Sequence, residues 1–179
     1  DLCSGYAGHP ATRSFSAPPS CDLGRACTAD ACCTGPGEPF ADCVAAGVCG
    51  FIVPDLPFEE SEEIRAALEA KELGLIQLVT PATPDERLAT LCDASRGFVY
   101  AVTITGITGG DAGLPADLAG YLDKVSGMSG LPVCAGFGIR KASDVAAVGA
   151  HAAGAIVGSA LVEVLERGED PTGFLNSLR

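Results

Sequence analysis

The stretch Pro132-Val133-Cys134-Ala135-Gly136-Phe137-Gly138-Ile139 decides the fold, and Ala155-Ile156-Val157-Gly158-Ser159 repeats its logic further along. In each, a short apolar run closes on glycine and passes into a helix-like segment. The runs Pro132–Ala135 and Ala155–Val157 read as buried parallel strands. A strand that ends in glycine and enters a helix presents free backbone N–H groups and the positive end of a helix dipole. Glycine lets an anion approach that backbone closely, so each junction is a candidate phosphate site. Ser159 reads both as the N-cap of the following helix and as a hydroxyl donor to phosphate.

The same alternation extends back to Pro39. Phe40–Ala46 reads as a helix end stopped by Gly47, and Val48–Val53 as a strand. Phe58–Lys71 reads as a helix with an acidic start (Glu59, Glu60, Glu62, Glu63) and Ile64, Ala67 and Leu68 on one face. Leu75–Val79 is the next strand, and Thr83 is expected to cap a helix through Ala94. Phe98–Val102 is a strand, followed by a glycine-rich loop, Thr105–Gly113. Pro115 opens a helix to about Val125, and Ser143 caps one ending at Gly149. Ser159–Arg167 and the short Pro171–Leu178 complete the pattern. Strands each followed by a helix predict an α/β protein with a parallel sheet covered by helices. Paired glycine turns after the last two strands suit an incomplete (β/α)8 barrel of about five units, since a closed one takes eight units and typically about 250 residues.

The chain has 179 residues, 47% of them hydrophobic, and a net charge of −12. That acidity and the lack of a basic patch exclude nucleic acid as an expected partner. A phosphate ligand would have to be held by backbone amides, which is what the glycine turns offer. No apolar run is long enough for a transmembrane helix, so no membrane association is expected. The first residues lack a signal-peptide pattern, and the cytoplasm is the expected compartment.

Residues 1–38 differ from the rest. They are dense in Cys, Pro, Gly and Ser and show no periodicity, so the organisation reads as an irregular leader, 1–38, before a partial barrel domain, 39–179. The leader reads equally as a tail or as the product of a reading-frame error. Seven of the nine cysteines lie before residue 50. The close set Cys27, Cys32 and Cys33 lacks paired knuckles and a nearby histidine, so no metal site is expected. Cys92 and Cys134 read as core residues. His9 and His151 have no neighbouring acid or cysteine at useful spacing and receive no role.

The segments Val53-Pro54-Asp55-Leu56-Pro57, Phe98-Val99-Tyr100, Thr105-Gly106-Ile107-Thr108-Gly109, Gly136-Phe137-Gly138-Ile139 and Val157-Gly158-Ser159-Ala160 together resemble the tryptophan synthase α-subunit family in order and spacing. The resemblance runs from about Pro39 to the C-terminus. It implies cleavage of indole-3-glycerol phosphate to indole and glyceraldehyde 3-phosphate in tryptophan biosynthesis, no cofactor, and a β-subunit partner. It implies that Gly109, Gly138, Gly158 and Ser159 bind the substrate phosphate. Tyr100, Thr108, Phe137 and Ile156 would line the substrate pocket, and Asp55 would face the β subunit.

One departure stands out. The family's chemistry uses a glutamate at a strand end and an aspartate in a P-x-S-D-P-x-x-D-G stretch, a carboxylate pair suited to acid–base work. Neither motif is found. Asp1, Asp22, Asp30 and Glu38 lie in other contexts, so the catalytic residues are unassigned and impaired activity is expected. Two alternatives stand beside the enzyme: a non-catalytic phosphate-binding barrel fragment, and another phosphate-binding barrel enzyme. Strand edges left open by a partial barrel should leave Ile52, Ile76, Val99, Val133 and Ile156 poorly covered.

Overall fold

The computed structural model describes residues 40–103, 117–136 and 138–179, apart from the Asp42 side chain. The expected leader and the Thr105–Gly113 loop lie outside these. The chain divides into two compact units, Asp1–Ile76 and Gln77–Arg179.

In the first unit, α1 (Ala41–Ala45) leads to β1 (Gly50–Ile52), a 3₁₀ turn (Phe58–Glu60), α2 (Glu62–Glu69) and β2 (Gly74–Ile76). The single helix expected over Phe58–Lys71 is thus split at Ser61. Its hydroxyl donates to the Phe58 carbonyl at 2.6 Å, which satisfies the 3₁₀ turn before the α-helix begins. Strands β1 and β2 pair in parallel, Gly50 opposite Gly74. Leu68, Leu73 and Leu75 form the core, flanked by Phe40, Phe51, Val53, Leu56 and Ile64. The Phe40 and Phe51 rings meet in a tilted contact, their centroids 5.3 Å apart.

The second unit contains β3 (Leu78–Val79), α3 (Asp85–Ala94), β4 (Val99–Val102), α4 (Leu118–Met128), β5 (Val133–Gly136), α5 (Ala142–Gly149), β6 (Gly154–Ile156), α6 (Ser159–Glu166) and α7 (Pro171–Ser177). Its sheet runs β3-β4-β5-β6, all parallel. The single strand expected over Leu75–Val79 is interrupted at Gln77. There the Gln77 N–H leaves the ladder and donates to Ser95 Oγ at 3.0 Å, while Ser95 Oγ donates to the Phe98 carbonyl.

Two expected caps take other forms. Thr83 Oγ1 accepts from the Thr80 N–H at 2.9 Å and closes the preceding turn, so α3 starts after Pro84 without a side-chain cap. Ser143 lies inside α5, and Asp144 does the capping: its Oδ2 accepts from the Arg140 and Lys141 N–H groups at 3.0 and 3.2 Å. At α7, Asp170 accepts from the Thr172 and Gly173 N–H groups, with Pro171 in the first helical position.

The sheet's two faces differ. Val99, Ala101, Val133 and Ala135 are buried, and so are Leu88, Leu91, Leu122, Val125 and Val148 on α3 to α5. The opposite face carries Tyr100, Val102, Cys134, Gly136 and Ile156; of these Val102, Cys134 and Ile156 are only half-buried. The expectation of poor cover therefore fails for Val99 and Val133, because strand alternation places them on the opposite face from Ile156. Ile76 is buried as well, whereas Ile52 is 40% exposed. Cys92 is core; Cys134, on the Tyr100 face, is not fully buried. The succession of parallel strands and covering helices is that of a partial (β/α)8 barrel.

Candidate functional site

Register brings the sequence-marked residues of the second unit to one end of its sheet. Val102 pairs with Gly136, and Gly136 with Ile156. These are the last residues of β4, β5 and β6, so the turns after β5 and β6 leave the same end of neighbouring strands. Gly138 lies in the first turn and Gly158 and Ser159 in the second; all three are exposed.

Gly136 and Gly138 are required for different reasons. Gly136 is the last residue of β5 rather than part of the turn, and the Tyr100 side chain lies across it. A Cβ built there would lie 2.6 Å from Tyr100 Cζ and 2.9 Å from Cε1. Gly138 has φ +77°, a left-handed conformation that glycine adopts without strain. Gly158 is itself the N-cap of α6 and Ser159 its first helical residue, so Ser159 does not cap the helix as expected.

Thr103, just past β4, ties this end together. Both its N–H and its Oγ1 donate to the Gly136 carbonyl at 2.9 Å. Thr103 is fully buried, and nothing in its sequence setting marks it, because its partner is 33 positions away. Tyr100 is 8% exposed, and burial pushes its phenol up from the ordinary value. Burial also raises the Cys134 thiol. Tyr121 on α4 donates to the Val79 carbonyl at 2.8 Å. A shallow cleft beside it, lined by Thr80, Thr83, Thr103 and Lys124, was not marked by the sequence.

Arg140, two residues beyond Gly138, pairs with Glu163 on α6. The hydrogen bond from Arg140 holds the Glu163 carboxyl below its ordinary value. Asp55 is exposed in the turn after β1, in the first unit. Thr108, Gly109 and Phe137 lie outside the described residues. Among the described residues, no cluster of three or more His, Cys, Asp or Glu side chains is placed to hold a metal, and no helix is long and apolar enough to cross a membrane.

Parallel strands followed by covering helices, with glycine turns at the C-terminal ends of adjacent strands, define a barrel-type α/β protein. A family-wide sequence profile described as tryptophan synthase alpha chain matches residues 32–176. The chain belongs to the tryptophan synthase α-chain family. The α chain of Roseiflexus castenholzii is 48% identical over 126 residues, a match covering 70% of this chain and 48% of that one. That of Methanocaldococcus jannaschii is 42% identical over 139 residues, covering 78% and 50%. Among solved structures, Mycobacterium tuberculosis tryptophan synthase superposes with a TM-score of 0.68 at 39% identity, covering 76% of this chain and 52% of that chain. The α2β2 complex of Pyrococcus furiosus gives a TM-score of 0.68 at 34% identity, covering 79% and 60%. The chain spans about half the length of the curated relatives it matches.

Proposed function

We propose that this chain binds a small phosphorylated ligand at the ends of β5 and β6, as a tryptophan synthase α-type barrel segment. Gly138, Gly158 and Ser159, with Gly109, are the assigned phosphate contacts, and Tyr100, Thr108, Phe137 and Ile156 the assigned pocket wall. The observation that carries the reading is the β5–β6 register. It puts one glycine turn and one helix N-terminus side by side, an arrangement whose backbone N–H groups suit an anion.

The natural ligand of this reading is indole-3-glycerol phosphate, and the reaction its cleavage to indole and glyceraldehyde 3-phosphate. Asp55 would face a β subunit, as the family's assembly suggests; the Pyrococcus furiosus relative is itself described as an α2β2 complex. The 179-residue polypeptide shows no match to the carboxylate pair of the family's chemistry. Each positioned acid or base contributes about 10²- to 10⁴-fold, so the polypeptide by itself should bind phosphate while releasing little indole.

Calorimetric titration with glycerol phosphate tests this. The unaltered chain should bind, and Gly138→Asp should abolish binding by adding a side chain and a negative charge where backbone meets anion. Equal affinity in the two proteins would overturn the site. Indole release at the rate of a full-length relative would overturn the reading of an impaired centre.

A further inference from the structure

The two glycine turns are cross-linked through side chains. Arg140 sits two residues after Gly138, and its guanidinium donates to Glu163, which lies four residues, about one helical turn, after Ser159. The backbone of the first turn is fixed from the other direction, since Asp144 at the start of α5 accepts from the Arg140 N–H. Arg167 also approaches Glu163, at 3.9 Å, but directs its fork to Glu169 at 2.7 and 3.0 Å. Glu163 is therefore held chiefly by a residue of the neighbouring turn, not by its own helix.

Two consequences follow from that placement. A carboxylate one turn inside α6 would oppose an anion at the helix N-terminus, and pairing with Arg140 neutralises it there. The pair also links the segment after Gly138 to α6, so a large relative shift of the two turns would break it. We propose that Arg140 and Glu163 form a brace that sets the spacing of the two turns and so tunes anion affinity, with Arg140 acting as a positioning residue and not as a contact cation. The inference rests on the phosphate reading above.

The test compares Arg140→Ala, Glu163→Ala, Arg140→Lys and the exchanged pair Arg140→Glu/Glu163→Arg in the whole chain. Inorganic phosphate affinity is measured by calorimetry, and amide hydrogen exchange is followed in peptides covering 136–141 and 157–161. Because the pair is half-exposed, each alanine variant should weaken phosphate binding by only about threefold. Exchange should quicken in both turns, not only in the mutated one. Arg140→Lys should recover part of the loss, and the exchanged pair most of it. Tighter binding in Glu163→Ala with weaker binding in Arg140→Ala would overturn the brace, since freeing a contact cation would do that. Failure of the exchanged pair to restore slow exchange would overturn it too. If the unaltered chain binds no phosphate, the functional reading fails, while the exchange data still decide the brace.

Discussion

Tyr100 on β4 lies across the face of Gly136 on β5, which stands two residues beyond Tyr100's ladder partner Cys134 and on the same side of the sheet. The tyrosine occupies the space that any side chain at 136 would need. A methyl group there would meet the ring carbons of Tyr100, a contact that only a shift of ring or strand can relieve. Overpacking of this kind costs about 1–3 kcal/mol, so Gly136→Ala should destabilise the chain by that order. In a Tyr100→Ala background the space is open, and adding Gly136→Ala should cost almost nothing further. Chemical denaturation of the four members of this cycle measures the coupling. Equal costs in both backgrounds would show that Gly136 is glycine for another reason.

What the sequence disclosed and what it hid divide along a physical line. The strands over Val99–Val102, Val133–Gly136 and Gly154–Ile156 were legible because buried parallel strands are short apolar runs. The acidic start of α2 and the Pro171 start of α7 were legible because helix termini carry local signals. Features set by partners distant in sequence were not. The break at Gln77 depends on Ser95, the Gly136 carbonyl on Thr103, and α5 on Asp144 in place of Ser143. The turns at Gly138 and Gly158 were read from apolar runs that close on glycine before a helix, but the Arg140–Glu163 link between them joins two charges whose proximity only the fold defines.

Strand β6 and helix α6 carry part of the second unit's exposed apolar surface. Among the described residues, β6 has a ladder partner on one side only. Helix α6 buries Ala160 and Val164, while Val162 and Leu165, three residues apart on another face, are 52% and 55% exposed. An unpaired edge beside exposed aliphatic side chains favours association. Sedimentation should therefore show concentration-dependent self-association of the chain, reduced by Val162→Lys with Leu165→Lys. A monomer across the whole concentration range, unchanged by the lysines, would mean that this surface is already covered.

Burial of weak acids predicts how stability responds to alkali. Desolvation raises the thiols of Cys92 and Cys134 and the phenols of Tyr100 and Tyr121 in the folded state. For Cys92 the nearby Asp93 charge adds to the effect. In the unfolded chain these groups titrate at about 8.5 for thiols and about 10 for phenols. Below those values both states hold the protons and stability does not depend on them. Above them the unfolded chain releases protons that the folded chain retains, so it is favoured and stability falls. The fall should begin near pH 8.5 with the thiols and steepen beyond pH 10 with the phenols. Cys92→Ala and Cys134→Ala together should lower stability at neutral pH, because side-chain packing is lost, yet flatten the decline between about pH 8 and 10. Urea denaturation at a series of pH values gives the slopes. A decline of the same slope in the double variant would mean that these two thiols do not set the alkaline limit, and that ionisation elsewhere in the chain does.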